Sequence, residues 1–198
     1  MRRVPTLPAV WRRVRRLAIG LGDRRGVAAI ELALASPVLL VLLLGTTEIA
    51  GFIKVHYQAA QMASTVADAV ARYDKVTSAD IADILSASSA VMDKADFGTK
   101  GYVVLTSAVK VKLTDAPTVA WQCRGGGTTV QASRIGKLKN VATLPGSLVL
   151  DADDNVIVAE VFYTYTPMFT LIPIDTRIVY KTAVFRPRLG ALTTVSGC

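Results

Sequence analysis

Residues Arg24–Ile53 read RRGVAAIELALASPVLLVLLLGTTEIAGFI, which is a basic pair and a glycine followed by a long apolar run. A membrane-spanning helix needs about 20 mostly apolar residues, and the run from Val27 to Ile53 is long enough. It exceeds the apolar region of an ordinary secretory signal, which has about 7 to 15 residues. We therefore expect one transmembrane helix over residues 27–53.

The positive charge of the chain is concentrated ahead of this run. The 198 residues carry a net charge of +8. Residues 1–26 contain eight arginines and one acidic residue, Asp23, whereas the rest of the chain is close to neutral. Cationic segments beside a span stay cytoplasmic, so we predict a chain anchored by one helix, with its N-terminus cytoplasmic and its C-terminal domain outside. Nucleic-acid binding is not expected, because it needs a basic face displayed on a folded domain.

Two carboxylates interrupt the apolar run. We expect water to reach Glu48, which lies near the outer end, whereas a carboxylate placed as Glu31 is costly enough to indicate a function. At about 1.5 Å per residue, Glu31 lies only about 6 Å along the helix axis from Val27. If the chain is cut after Gly26, the new amino group of Val27 and the Glu31 carboxylate would offset each other's burial cost. The alternatives are a Glu31 near the headgroups that merely tolerates its position, and a Gly26 that only provides flexibility.

Two further features belong to this N-terminal part. Pro37 removes a backbone donor and clashes with the carbonyl of Ala33, which predicts a kink in the span. Residues 9–21 have the pattern of a basic amphipathic helix that would rest on anionic lipid. A disordered basic leader is the alternative for that segment.

The combination of a basic leader ending in Gly26, Glu31 at the fifth position after it, and an apolar helix resembles a type IV pilin precursor. The fuller pattern over residues 24–53, which includes Pro37 and Gly45, is similar to the TadE-like family of minor pseudopilins of the tight-adherence (Tad) pilus. A weaker similarity lies in the segments YTYTP at 163–167 and FRPR at 185–188.

This resemblance implies a function, a set of partners and a location in the inner membrane, with the C-terminal domain periplasmic. It implies cleavage between Gly26 and Val27 by a prepilin peptidase, and a role in pilus assembly and adhesion. Glu31 would then act in assembly. The implied partners are the peptidase, other pilins and the pilus assembly platform, in addition to the lipid bilayer. The alternative is an unprocessed, signal-anchored periplasmic scaffold or binding protein.

Beyond the span, the spacing of the apolar residues indicates helices first and then strands. Apolar residues recur at three- and four-residue steps from Val55 to Tyr73, which predicts that the first helix continues to about Tyr73. Thr77 and Ser78 are good cap residues for a second helix. From Gly101 the residues alternate, which predicts a half-buried strand up to Leu113. The side chains expected to share its buried face are Val103, Leu105, Val109, Val111 and Leu113. Thr106, Lys110 and Lys112 are expected on the opposite, solvent face, and Val119, Trp121 and Cys123 are expected to share a face in the next strand.

The predicted fold class is therefore α+β. Residues 156–166 and 176–186 are rich in Val, Ile, Tyr, Phe and Thr, which favours two paired strands. We expect a transmembrane helix extended into a pilin-like stalk, external helices over 54–100, and a small antiparallel β-rich domain over 101–198. The order of residues 124–145 is not apparent from the pattern.

Few groups are available for catalysis. His56 is the sole histidine, so a multi-histidine zinc site is impossible, and we predict no enzyme activity, cofactor, metal or small-molecule substrate. Gly125–Gly127 lacks the lysine of a phosphate loop and is expected to form a flexible turn. Asp151, Asp153 and Asn155 match the first spacings of a calcium loop, but its glycine and final glutamate are missing, so a polar hairpin turn is expected.

The two cysteines, Cys123 and Cys198, both fall in the external part. An oxidising compartment would allow them to form a disulfide that ties the chain end to the sheet. The alternative is that they stay unpaired, because terminal residues are often mobile.

Overall fold

A computed structural model describes residues 26–169 and 175–198. The leader predicted over 1–26, with its basic helix at residues 9–21, lies outside the described residues except for Gly26. The chain divides into two compact units, one ending at Thr47 and one extending from Glu48 to Cys198. We call the second unit the head.

The first helix, α1, spans Val27–Val70 and continues through Pro37. Within the described residues it is the one helix that is long and apolar enough to cross a membrane, with a mean hydropathy of 2.5 over its most apolar window. None of that window is buried within the described chain, although leucine, valine and alanine occupy every side of the helix, which is the pattern of a helix surrounded by lipid. Thr46 and Thr47 donate their hydroxyls to the carbonyls of Leu42 and Leu44, so these polar groups need no water.

Two shorter helices follow. Helix α2 spans Ser78–Ser88, and a 3-10 turn over Ser89–Met92 leads into α3, Lys94–Lys100. Thr77 caps α2, which confirms the prediction. Its hydroxyl accepts a hydrogen bond from the amide of Asp80, and the Asp80 carboxylate accepts one from the amide of Thr77.

Four strands form one antiparallel sheet in the order β2-β1-β3-β4. Their bounds are β1 Gly101–Lys110, β2 Thr118–Gly125, β3 Asp154–Tyr165 and β4 Arg177–Phe185. The strands predicted at 156–166 and 176–186 do pair, from Ile157 opposite Phe185 to Tyr165 opposite Arg177. The long apolar helix followed by this sheet confirms the predicted α+β fold.

The sheet is covered on both faces. The later turns of α1, from Ala59 to Val70, pack with α2 and α3 on one face. Residues 126–153, which we call the covering segment, place Ile135, Ala142 and Leu150 on the other face. Glu160 lies fully buried beneath this segment and accepts hydrogen bonds from the Ser133 hydroxyl, the Arg134 amide at 2.8 Å and the Tyr180 hydroxyl at 2.9 Å.

The covering segment corrects the prediction of a half-buried first strand. Thr106, expected on a solvent face, is 0% exposed because the covering segment lies over that face. Lys110 is also buried, and its Nζ donates to the Leu150 carbonyl at 2.8 Å. Strand β1 ends at Lys110, so Val111 and Leu113 lie outside it and are exposed.

A β-bulge corrects the predicted face of Val119. Ser107 pairs with Trp121, but Ala108 pairs with Val119, so Ala120 is an extra residue in β2. The extra residue reverses the alternation. Trp121 therefore faces the helices, whereas Val119 packs under the covering segment.

The two turns that resembled ligand loops have structural roles. Gly127 is part of a tightly packed turn rather than a flexible one, since a Cβ there would lie 2.2 Å from the Gly101 carbonyl oxygen. Asn155 belongs to β3 and is buried, where it donates to the Ser107 hydroxyl and accepts from the Leu192 amide, both at 2.8 Å. Among the described residues, no group of three His, Cys, Asp or Glu side chains is placed to hold a metal ion.

Candidate functional site

The first candidate site is the start of α1, where Gly26 precedes Val27. Gly26 is exposed, and a Cβ added to it would meet no heavy atom within 4 Å. Packing within the described chain therefore does not demand a glycine at this position.

Glu31 lies one turn beyond Val27 and is exposed, as is Val27 at 47%. In the described part of the chain, no ion pair involves Glu31. In the uncut chain the nitrogen of Val27 is an amide, so the charge proposed to match Glu31 exists only after cleavage. A series of exposed apolar side chains follows along the same helix: Ile30, Leu32, Leu34, Val38, Leu39, Leu40, Val41, Leu42 and Leu43.

The second candidate site is a carboxylate clamp at Glu48, which belongs to the head. Glu48 is 2% exposed, so the expectation that water reaches it is wrong. Its carboxylate accepts hydrogen bonds from the Tyr165 hydroxyl, from the Met168 amide at 3.0 Å and from the Phe169 amide at 3.1 Å. These donors come from the end of β3 and the residues after it, and they replace the water that a carboxylate at this position would otherwise need.

An aromatic group surrounds the clamp. The Phe52 ring lies edge-to-face with Tyr165 at 5.1 Å and with His56 at 4.4 Å, while the Arg177 guanidinium lies 5.6 Å from the Phe52 centroid. Burial, together with the hydrogen bond to the Glu48 carboxylate, raises the pKa of Tyr165 to about 12. Tyr165 therefore remains a donor to Glu48 throughout the physiological range.

His56 lies on α1 beside Phe52, with ring centroids 4.4 Å apart. Its Nε2 is buried without a hydrogen-bond partner among the described residues. Burial, and then the charges of Lys181 and Arg177, lower the pKa of His56. The imidazole is thus neutral at pH 7 and serves as a packing group beside Phe52.

The YTYTP and FRPR segments, which carry the weaker sequence similarity, contact the helices of the head. Tyr163 donates its hydroxyl to the carboxylate of Asp96 in α3, and this bond, together with Lys100, holds the pKa of Asp96 below its usual range. Arg188 forms an ion pair with Asp68 of α1, and its amide donates to the Ala71 carbonyl at 2.8 Å. The YTYTP and FRPR segments therefore hold the sheet and the chain end against the helices.

The two cysteines close the C-terminal end of the head. Cys123 and Cys198 form a disulfide with Cα atoms 5.2 Å apart, which links the last residue to β2. Earlier in the same segment, the Leu192 carbonyl accepts from the Trp121 indole at 2.8 Å and from the Ser107 hydroxyl at 2.7 Å.

Residues 26–72 match a protein-family model described as TadE-like protein. This segment is similar to the TadE-like family. The resemblance predicted from the sequence is thus confirmed. Neither a curated protein nor a solved structure matches the chain.

The TadE-like segment coincides with α1 and the turn after it, and it begins at Gly26. It contains Val27, Glu31 and Glu48, but Tyr165 lies far outside it. The roles of Gly26, Val27 and Glu31 therefore stay predictions, and sequence reasoning missed the clamp. The available signals were Glu48 at the end of an apolar run and the alternating Tyr-Thr-Tyr pattern at 163–165. Neither signal indicates that these two segments are in contact.

Proposed function

We propose that the protein is a minor pseudopilin of a Tad-type pilus. The TadE-like domain supports association with that pilus. The observation that carries the proposal is that the family match and the exposed apolar helix begin together at the Gly26–Val27 junction. The precursor would be held in the inner membrane by α1, with its basic leader cytoplasmic and its head periplasmic. The mature chain would support pilus assembly and adhesion as a structural, non-catalytic subunit.

Processing is the step that a direct experiment can test. A prepilin peptidase would cut between Gly26 and Val27, for which the open surroundings of Gly26 leave access. The full chain should be expressed with and without such a peptidase, and the product examined by blotting and N-terminal sequencing. We expect a mature terminus at Val27 only when the peptidase is present.

Variants of two glycines separate cleavage from folding. Gly26→Val should block cleavage without disturbing the head, and Gly98→Ala is the matched control because a Cβ at Gly98 also meets no atom within 4 Å. A full-length band in every lane would remove the pseudopilin proposal. It would favour the alternative, an unprocessed periplasmic scaffold.

Glu31 supplies the second step, assembly. After cleavage, the Val27 ammonium and the Glu31 carboxylate would lie at similar depth, within one subunit or between neighbours, and each would reduce the cost of holding the other in lipid. Glu31→Ala should therefore insert and be cleaved normally, yet fail to co-purify with sheared pili. Ser36→Ala, which removes only a hydroxyl bonded to the Ala33 carbonyl, is the control. Normal pilus association of Glu31→Ala would show that the charge pairing is wrong.

A further inference from the structure

Exposed apolar side chains lie on the head near Glu48, at the end of the sheet where β3 ends and β4 begins. They are Ile49 and Ile53 on α1, Met168 after β3, and Ile178 near the start of β4, with exposed fractions of 52%, 61%, 81% and 47%. We call these four residues the apolar collar. Large exposed side chains grouped at one end of a domain indicate an interaction surface.

The Glu48 clamp fixes the position of Met168 within the collar. The Met168 amide donates to both Glu48 carboxylate oxygens, at 3.2 and 3.0 Å. Glu48 is five residues before Ile53, the expected end of the span, which is about 8 Å along the helix axis. The clamp therefore holds Met168 beside a turn of α1 that is expected to lie at the outer edge of the membrane.

The charges next to the collar are mainly positive. Lys54 follows Ile53, Arg177 precedes Ile178, and Lys181 lies three residues beyond Ile178 on β4. Asp175, two residues before Arg177, is the acidic residue of this stretch. Glu48 is the nearby carboxylate on α1, and its hydrogen bonds are taken up inside the head. Apolar side chains flanked by lysine and arginine are the arrangement that rests in the headgroup region of an anionic bilayer.

We propose that the apolar collar inserts into the headgroup region of the outer leaflet, so that the head itself contacts lipid. This inference rests on the proposed anchoring of α1 in a membrane and adds to it a second, peripheral contact. Continuity with the span selects lipid as the occupant, because the collar begins on the same helix. The clamp would then keep the Glu48 carboxylate bonded at a depth where water is scarce.

Spin labels on introduced cysteines test the depth of the collar. Both native cysteines are disulfide-bonded, so an introduced cysteine provides the reactive thiol. Full-length Met168→Cys, Leu40→Cys and Val149→Cys would be labelled and placed in vesicles of phosphatidylethanolamine and phosphatidylglycerol. Leu40 lies in the span, and Val149, which is 78% exposed, precedes the opposite end of β3. Collision rates with oxygen and with a water-soluble nickel complex then report depth.

We expect the oxygen-to-nickel ratio at Met168→Cys to be several-fold higher than at Val149→Cys and lower than at Leu40→Cys. A ratio equal to that of Val149→Cys, with Leu40→Cys still in lipid, would overturn the collar and leave the anchored helix intact. A water-exposed Leu40→Cys would overturn both. Dipolar broadening at Met168→Cys that vanishes on dilution with unlabelled chain would assign the collar to a second copy, which also overturns the proposal.

Variants of the basic residues provide an independent test of the lipid contact. Lys54→Gln together with Arg177→Gln should lower the ratio at Met168→Cys in vesicles that contain phosphatidylglycerol and leave it unchanged in purely zwitterionic ones. Lys137→Gln with Lys139→Gln, two exposed lysines of the covering segment, is the matched control. An equal effect in both kinds of vesicle would show that charge attraction plays no part in the contact.

Discussion

Glu48 joins α1 to the end of β3 through one carboxylate. The three donors, Tyr165, Met168 and Phe169, are more than one hundred residues away in the sequence. A buried carboxylate is tolerated only when its oxygens are hydrogen-bonded, and here each oxygen has at least one donor. The same bonds fix the backbone at Met168 and Phe169, so one side chain positions the end of the strand against the helix.

Removing this carboxylate should loosen the clamp more than it disturbs the sheet. In Glu48→Ala the Tyr165 hydroxyl and two amides lose their acceptor, at a cost of about 1–3 kcal/mol for each buried group left unpaired. Hydrogen exchange measured by mass spectrometry on the full chain in micelles should show faster exchange at residues 168–169. Exchange in the central strand β1 should be unchanged.

Two further variants test that interpretation. Glu48→Gln keeps one acceptor oxygen and should give an intermediate rate. Thr47→Ala removes a neighbouring hydroxyl that bonds only to the Leu44 carbonyl and should leave the rate unaltered. If Glu48→Ala exchanged like the parent chain, the hydrogen bonds to Glu48 would not be what holds this segment.

The single histidine gives a pH dependence that can be assigned to one residue. Because burial and nearby cations lower the pKa of His56, the unfolded chain binds a proton at His56 more readily than the folded chain does. Stability from this residue is therefore present above the unfolded pKa, near 6.5, and declines as the pH falls below it.

Thermal unfolding of the full chain between pH 7.5 and 5.5 should show this decline, and His56→Gln should flatten it. Aspartate and glutamate side chains ordinarily titrate below this window, so they contribute little to the slope. An unchanged slope in His56→Gln would show that another group titrates there.

At the scale of elements, local patterns predicted which segments are helix or strand, but not what lies against them. Alternation found the strands near 101, 156 and 176, and the cap at Thr77 placed the start of α2. The covering segment and the bulge at Ala120 were missed, since glycine-rich irregular sequence carries no period and one extra residue reverses the face of Val119. The Glu48–Tyr165 contact was missed for a related reason: periodicity reports neighbours along one element only.

The disulfide links the end of the chain to strand β2, and its contribution to the stability of the fold can be measured. Its closed loop of 75 residues predicts stabilisation of about 4 kcal/mol from chain entropy. Cys123→Ser, Cys198→Ser and the double variant should all lower the thermal midpoint by the same amount. A much larger loss in one single variant than in the double variant would indicate a stray thiol rather than loss of the loop.

Hydrogen exchange should locate the effect of breaking that bond. Leu192 stays fastened by Trp121, Ser107 and Asn155, so its amide should remain protected. The Ser78 amide, which donates to the Ser196 carbonyl at 2.9 Å, should exchange faster because residues beyond Leu192 are released. Faster exchange at Leu192 as well would mean that the disulfide holds the whole C-terminal segment.

At the scale of the whole molecule, the division after Thr47 separates an apolar helical segment from a head with its own hydrophobic core. From Val27 to Thr47 an α-helix rises about 30 Å, which is close to the hydrocarbon thickness of a bilayer. The predicted span of residues 27–53 rests on composition alone, because transfer free energy depends on residue type and not on partners. The direction of the span depends in turn on charge, and the leader holds most of the net charge of +8.

Neutralising the leader should therefore disturb orientation rather than insertion. Replacing Arg2, Arg3, Arg12, Arg13, Arg15 and Arg16 with glutamine removes most of the cationic bias that keeps the N-terminus cytoplasmic. A C-terminal alkaline phosphatase fusion, active only outside the cytoplasm, should lose a large part of its activity while the chain stays in the membrane fraction. Replacing Lys112, Lys137 and Lys139, exposed lysines of the head, should have no such effect. Full phosphatase activity in the leader variant would show that the head is exported for a reason other than the leader charge.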